Sequence, residues 1–291
     1  MENGPEVVED AKVDYTSFAD LTNFEEEKDM APILERIINT PQTEWKEHYF
    51  AVDDLRRLNK FHFAFLAANL PAAHDFIIAS IDSLRSNIAK NALIFAQELY
   101  STECDPMLLS ATSAVLVPAL AIKSNYEKTF IAKEAIKAYK SVAKSSVCPE
   151  SAFGFIEGSK SKNYKIAELS MSLLEEHIDS ASPAYLAQPN NVRQVIAHAG
   201  IELDGKRAKN QKTAQSLLSK LKKAVGDACF EELLSACEID EETQKRIRDS
   251  FMKKKARTEP KGGLRAFMAE KKKATETGGD DLMAVEEEPP K

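Results

Sequence analysis

The stretch Ile88-Ala89-Lys90-Asn91-Ala92-Leu93-Ile94-Phe95-Ala96-Gln97-Glu98-Leu99-Tyr100 decides the fold. Its apolar residues Ile88, Ala92, Leu93, Phe95, Ala96 and Leu99 recur at helical spacing, which puts them on one broad helix face. The same period governs Phe130–Ala143, through Ile131, Ala135, Ala138, Tyr139 and Val142. It returns at Ile166, Ala167, Leu169, Leu173, Leu174 and Ile178, and again at Ala214, Leu217, Leu218, Leu221 and Val225. Strict alternation of period two is nowhere sustained. Ten glycines and twelve prolines in 291 residues are also few for the turns of an all-β chain. The expectation is an all-α protein.

Each of these helices follows a short polar or basic turn. Such starts fall near Trp45, Ser86, Thr129, Asn163, Arg207 and Glu242, at intervals of 41, 43, 34, 44 and 35 residues. A more apolar partner precedes each one: Met30–Ile38, Ala72–Leu84, Pro106–Ile122, Ser151–Gly158, Val192–Leu203 and Asp227–Cys237. Six helix pairs near forty residues each match the period of HEAT and armadillo repeats, ~40–47 residues. No pair covers its own apolar face, so stacking must supply the core, and the predicted architecture is an α-solenoid. Pro118 is expected to kink its helix. An irregular all-α bundle is the rival arrangement.

Charge divides the chain into three parts. Residues 1–28 carry a net −7 and residues 256–291 a net −1, which leaves +1 for the body. Both tails are poor in large apolar residues, so 1–28 and 257–291 are expected to be flexible, with room for a short helix at Leu264–Lys273. The folded domain is then 29–256. The longest uninterrupted apolar runs are a few residues, so no membrane span is expected, and the acidic N-terminus lacks the apolar core of a secretory signal. A cytosolic or nuclear location follows. Cys104, Cys148, Cys229 and Cys237 form no C-x-x-C pair, so they read as small core residues rather than metal ligands.

Catalytic motifs are missing from the sequence. The five histidines lie far apart, and H-E-x-x-H, a nucleophile elbow, Walker A and G-x-G-x-x-G do not occur. The chain is therefore read as a non-enzyme with no cofactor, no metal and no small-molecule substrate. RNA-recognition fingerprints are lacking and the tails are acidic, which argues against nucleic acid.

The turns inside the pairs are more informative, because in a solenoid they emerge along one edge. In order they read Thr43-Glu44-Trp45-Lys46, Leu84-Arg85-Ser86-Asn87, Lys123–Phe130, Lys160-Ser161-Lys162-Asn163-Tyr164-Lys165 and Asp204–Lys212. A near-neutral body has gathered cations and a few aromatics on one rim, which suits an acidic protein partner with an aromatic anchor. The bland alternatives are that Trp45 and Phe130 fill the core and that the cations are solvated. The basic run from Lys245 to Arg257 reads as an exposed last helix.

At these residues the chain resembles the TOG domain, the tubulin-binding module of six HEAT repeats, and within it the CLASP and crescerin branch. The resemblance spans roughly 29–255. It rests on Glu44-Trp45-Lys46-Glu47-His48, Ala51–Leu55, Leu84–Lys90, Thr129–Glu134 and the fourth and fifth turns, in that order. Two departures are His48, where the family usually has arginine or lysine, and the lysine-rich stretch Lys206–Lys212. The resemblance implies that the turn edge holds curved αβ-tubulin and biases microtubule dynamics. The contact set it implies is Trp45, Lys46, Arg85, Ser86, Asn87, Lys128, Phe130, Lys162, Asn163, Lys165, Lys206, Arg207 and Lys209. It places the protein in the cytoplasm on microtubules, with cilium or spindle as settings. A HEAT scaffold for another acidic protein is the alternative.

Overall fold

The computed structural model describes residues 15–24 and 29–258, with side chains as far as Met252. Among these residues there are thirteen α-helices and no strand. They are α1 (Ala31–Ile38), α2 (Trp45–Phe61), α3 (Phe63–Asp82), α4 (Ser86–Ser101), α5 (Ser110–Lys123), α6 (Thr129–Ser145) and α7 (Pro149–Ser159). Then come α8 (Tyr164–Ser180), the single turn α9 (Pro183–Leu186), α10 (Pro189–Glu202), α11 (Ala208–Val225), α12 (Asp227–Ser235) and α13 (Glu241–Thr258). A 3-10 turn, Pro106–Leu109, leads into α5.

Two layers run through the first compact unit, which ends at Ile247. The first helices of the pairs stack in the order α1, α3, α5, α7, α10, α12. The second helices stack as α2, α4, α6, α8, α11. The expected α-solenoid is present. Between the layers lie the apolar stripes read from the sequence, with Leu93, Phe95, Ala96, Leu99, Ile131, Tyr139, Leu174 and Leu218 all buried. Each of the larger of these side chains contributes about 1.5–3 kcal/mol relative to exposure. Gly154 of α7 lets that helix close on α5, because a Cβ there would overlap Val117. The second unit begins at Arg248, and its described part continues α13.

Local signals explain most boundaries. Proline occupies the first turn of α1, α7, α9 and α10, where its fixed φ suits helix entry. Asn163 caps α8 by accepting from Lys165 N at 3.0 Å. Asp240 accepts from Thr243 N at 2.7 Å and Thr243 Oγ1 at 2.9 Å, and these bonds lower its pKa. Gly226 has φ 85° and separates α11 from α12, a conformation that favours glycine.

Three expectations need correction. The helix expected from Ala72 begins at Phe63 and runs through Pro71, and α5 likewise continues unbroken through Pro118. Both prolines are exposed, so the lost backbone bond falls on the solvent side. Two segments, Phe63–Asp82 and Pro106–Lys123, are long and apolar enough to cross a membrane by length and composition, with mean hydropathy 1.4 and 1.5. Counting only uninterrupted runs overlooked them, because single polar residues break an otherwise apolar helix.

Part of the expected N-terminal tail is also packed. Arg56, Arg57 and Lys60 of α2 donate to the carbonyls of Thr16, Thr22, Asn23, Ala19 and Leu21 at 2.7–3.0 Å. Leu21 is buried, and the Arg57 guanidinium lies 4.0 Å from the Phe24 ring centroid. Residues 1–14 and 25–28 lie outside the described residues, as do 259–291 with the expected helix at Leu264–Lys273. Arg257 and Thr258, expected in the C-terminal tail, are the last residues of α13.

Candidate functional site

The second helices run side by side in register. Lys128 Nζ donates to Ser86 Oγ at 2.7 Å, joining the starts of α6 and α4. The Arg85 guanidinium lies 5.4 Å from the Trp45 ring centroid, joining the starts of α4 and α2. Arg207 donates to Ser161 O at 2.8 Å and Ser159 O at 3.3 Å, joining the fifth turn to the fourth. Deeper along the helices, Tyr139–Ser170 and Lys220–Glu175 bonds keep α6, α8 and α11 parallel. The five intra-pair turns therefore form one ridge.

Every residue expected at the site lies on this ridge, within two residues of the first residue of a second helix. Trp45 opens α2 and is half-buried, with Lys46 Nζ 5.7 Å from its ring centroid. Phe130 is exposed, while Ile131 beside it is the buried residue, so Phe130 is not a core plug. Lys46, Arg85, Lys128, Lys162, Lys165, Lys206 and Lys209 are exposed, and Ser86, Asn87 and Asn163 are half-buried. Some of these side chains are already engaged within the chain. Arg207 is half-buried and bound to two backbone carbonyls, so it braces the ridge. Lys209 pairs with Glu168 at 3.0 Å, and Asn87 accepts from the Tyr15 hydroxyl at 3.2 Å.

Sequence reasoning missed two features here. The first is apolar: Leu84, 87% exposed, and the exposed Tyr164 stand on the second and fourth turns, and the exposed Ile201 lies in the last turn of α10. With Trp45 and Phe130, Leu84 and Tyr164 give the first four turns a large hydrophobic side chain each. Leu84 and Tyr164 were visible as members of their turns, but nothing in a periodicity separates an apolar residue facing water from one facing the core, so their exposure and that of Ile201 left no signal.

The second feature is electrostatic. The N-cap residues of α4, α6 and α11 are Arg85, Lys128 and Arg207, and none of these helices, nor α2, has a side-chain cap bond. Cations at a helix N-terminus oppose the macrodipole, at ~0.3–1 kcal/mol each. The missing caps cost another ~0.5–2 kcal/mol each relative to Ser, Asp or Asn. Four of the five helix starts on the ridge, all but the Asn163-capped α8, thus lack a side-chain cap, and three of them begin with a cation. That arrangement is receptive to carboxylates.

Beneath the ridge the packing is polar and rigid. His48 bonds Ser80 at 2.7 Å, and burial lowers its pKa. His48 is thus an internal side chain whose burial disfavours the protonated form. Lys123 is nearly buried, 3.4 Å from Asp82 and 4.4 Å from the Tyr126 ring centroid. Among the described residues no group of three or more His, Cys, Asp or Glu is placed to hold a metal.

No protein-family model matches the chain. No curated protein matches it either. Solved structures do resemble it. A TOG domain from C. elegans Zyg9 is 15% identical, covers 76% of this chain and 80% of its own, and superposes with a TM-score of 0.48. A chain from work on microtubule plus end tracking by XMAP215, CLIP-170 and EB1 is 14% identical over 77% of this chain and 90% of its own, with a TM-score of 0.47. A designed armadillo repeat protein in complex with the peptide (KR)4 is 13% identical over 76% and 97%, with a TM-score of 0.37. None of the three reaches a TM-score of 0.5.

Proposed function

We propose that residues 29–256 form a tubulin-binding module that holds curved αβ-tubulin on the turn ridge and so biases microtubule assembly. The observation that carries this reading is the row of helix starts, three of them uncapped and led by a cation, with Trp45, Leu84, Phe130 and Tyr164 beside them. Local stability is forfeited at Arg85, Lys128 and Arg207, offset inside the fold by the contact of Arg85 with the Trp45 ring, the Ser86 bond of Lys128 and the carbonyl bonds of Arg207. Departures of this kind from local preference concentrate at functional positions. An acidic partner restores what is missing, because its carboxylates accept from the helix N–H groups and neutralise the cations. Tubulin is acidic, and the resemblance at Trp45, Leu84–Lys90 and Thr129–Glu134 names it among acidic proteins. Trp45 anchors one end, and the fourth and fifth turns, with Lys162, Asn163, Lys165, Lys206 and Lys209, reach the other. A binder that prefers bent tubulin shifts the population of that shape. The expected setting is the cytoplasm, on microtubules of the spindle or cilium.

The test is gel filtration of the chain with purified tubulin at low salt. Co-elution at micromolar concentration that weakens as salt rises supports the proposal. No co-elution leaves the ridge to a different acidic protein.

A further inference from the structure

We propose that the outward face of α5, flanked by α3 and α7, is a symmetric interface between two copies of this chain. From Pro106 to Ile122 the sequence has no charged residue. Leu109, Leu116, Val117 and Leu120 point inward and are buried. Met107, Leu108, Ala111, Ala114, Val115, Pro118 and Ile122 are exposed. At 3.6 residues per turn the five on α5 fall within an arc of roughly 100°, and Met107 and Leu108 of the preceding 3-10 turn extend the stripe. A solvent-facing helix stripe normally carries charge, as α7 does with its Glu157–Lys160 pair. On one side of the stripe α3 adds the exposed Ala64, Ala68, Pro71 and Ala72; on the other α7 adds Phe153.

Area favours a protein partner. Met107, Leu108, Val115, Ile122 and Phe153 are between 38% and 69% exposed. At about 200 Å² per large side chain they leave roughly 500 Å² of apolar surface. With the alanines and prolines the face approaches the ~800 Å² that each partner contributes to a standard interface. The pattern is also self-complementary. About Val115, Leu108 and Ile122 lie seven residues to either side, and Ala111 and Ala119 four. An antiparallel pairing with its two-fold axis at Val115 sets Leu108 against the second copy's Ile122, and Ala111 against its Ala119. That is the residue-for-residue reciprocity of an isologous contact. The small residues allow the two α5 helices to approach to ~8–10 Å. Asp75, Asp82 and Asp105 are exposed on α3 or beside the turn into α5. They turn away anionic lipid headgroups, while the uncharged stripe itself matches a second apolar stripe. A dimer carries two turn ridges, so a partner with repeated sites is bound with greater avidity.

Sedimentation equilibrium of the full chain tests this over about 1–200 μM, the range of moderate affinity. The expected result is a mass rising from 32.3 kDa toward twice that value. Val115→Glu, confirmed folded by circular dichroism, is expected to weaken association at least tenfold. In a Cys104→Ser, Cys229→Ser background, Val115→Cys is expected to form a disulfide-linked dimer on oxidation, whereas Ser145→Cys on α6 is not. If Val115→Glu fails to fold, the crosslinking pair decides. A constant mass of one chain overturns the proposal, as does a dimer indifferent to Val115→Glu whose Val115→Cys form does not crosslink. A monomer that floats with phosphatidylcholine vesicles overturns it in favour of a lipid surface.

Discussion

Lys128→Asp separates a functional ridge from a merely exposed one, because folding and binding should respond in opposite directions. Lys128 is the N-cap of α6, has no cap bond and is fully on the surface. Aspartate there accepts from an N–H of the first turn, worth about 1 kcal/mol. Replacing a cation by an anion at the positive helix end adds ~0.5 kcal/mol. Against this stands the exposed bond from Lys128 to Ser86, worth ~0.5 kcal/mol. The net is a gain of ~1 kcal/mol, read as a rise in Tm of ~2–4 °C. Tubulin affinity should fall at least tenfold, since an acidic partner loses an attraction and gains a repulsion. Urea or thermal unfolding supplies the first number, and a tubulin titration at fixed salt the second. A variant that is less stable, or equally stable and equally tight, refutes the assignment of Lys128 to the ridge.

Trp45→Ala should cost at least ~2 kcal/mol of tubulin binding, about thirtyfold in Kd, while the unfolding midpoint moves little; a collapsed midpoint with affinity per folded molecule unchanged would make the indole structural. Arg56 is buried and donates to Glu98, Asp53, Asn91 and Thr16 O, and burial raises the pKa of Glu98 against the pull of Arg56. Arg56→Leu should therefore cost ~3–5 kcal/mol and free residues 15–24 to rapid hydrogen exchange, with partial rescue by adding Glu98→Leu. His177 is buried beside Phe155 with neither ring nitrogen bonded, and burial pushes its pKa down to about 4. Its folded pKa lies below the unfolded 6.5, so the unfolded chain takes up the proton first. Stability is intact above pH 6.5 and falls as pH drops toward 4, by ~2 kcal/mol at pH 5. His177→Leu should flatten unfolding free energy between pH 7.5 and pH 5; an unaltered slope would remove His177 as its source.

Helix starts were the most legible part of the chain. Trp45, Ser86 and Thr129 open α2, α4 and α6 as expected, and the other three starts fall one residue away. Each combines a polar turn with a resumed 3.6 period, two signals that agree. The start of α3 was hidden because Pro71 reads as a breaker, although on the solvent face it breaks nothing. The packed segment 15–24 was hidden because acid counts dilute Tyr15, Phe18, Leu21 and Phe24, and because carbonyl acceptors carry no sequence signature. At the ridge the cations were readable. Which of them the fold consumes was not: Arg207 and Lys209 look alike in sequence with Lys206, yet one braces a turn and the other pairs with Glu168. Leu84 and Tyr164 were legible as turn residues, whereas their exposure and that of Ile201 needed coordinates.

Zero-length carbodiimide crosslinking of the chain to αβ-tubulin, followed by mass spectrometry, probes the ridge most directly, since it joins only lysines already touching carboxylates. Crosslinks should fall on Lys46, Lys128, Lys162, Lys165 and Lys206, and vanish in high salt. Crosslinks gathered instead on Lys133, Lys140 and Lys144 along the side of α6, or none at all, would contradict the claim that uncapped cationic helix starts receive an acidic partner.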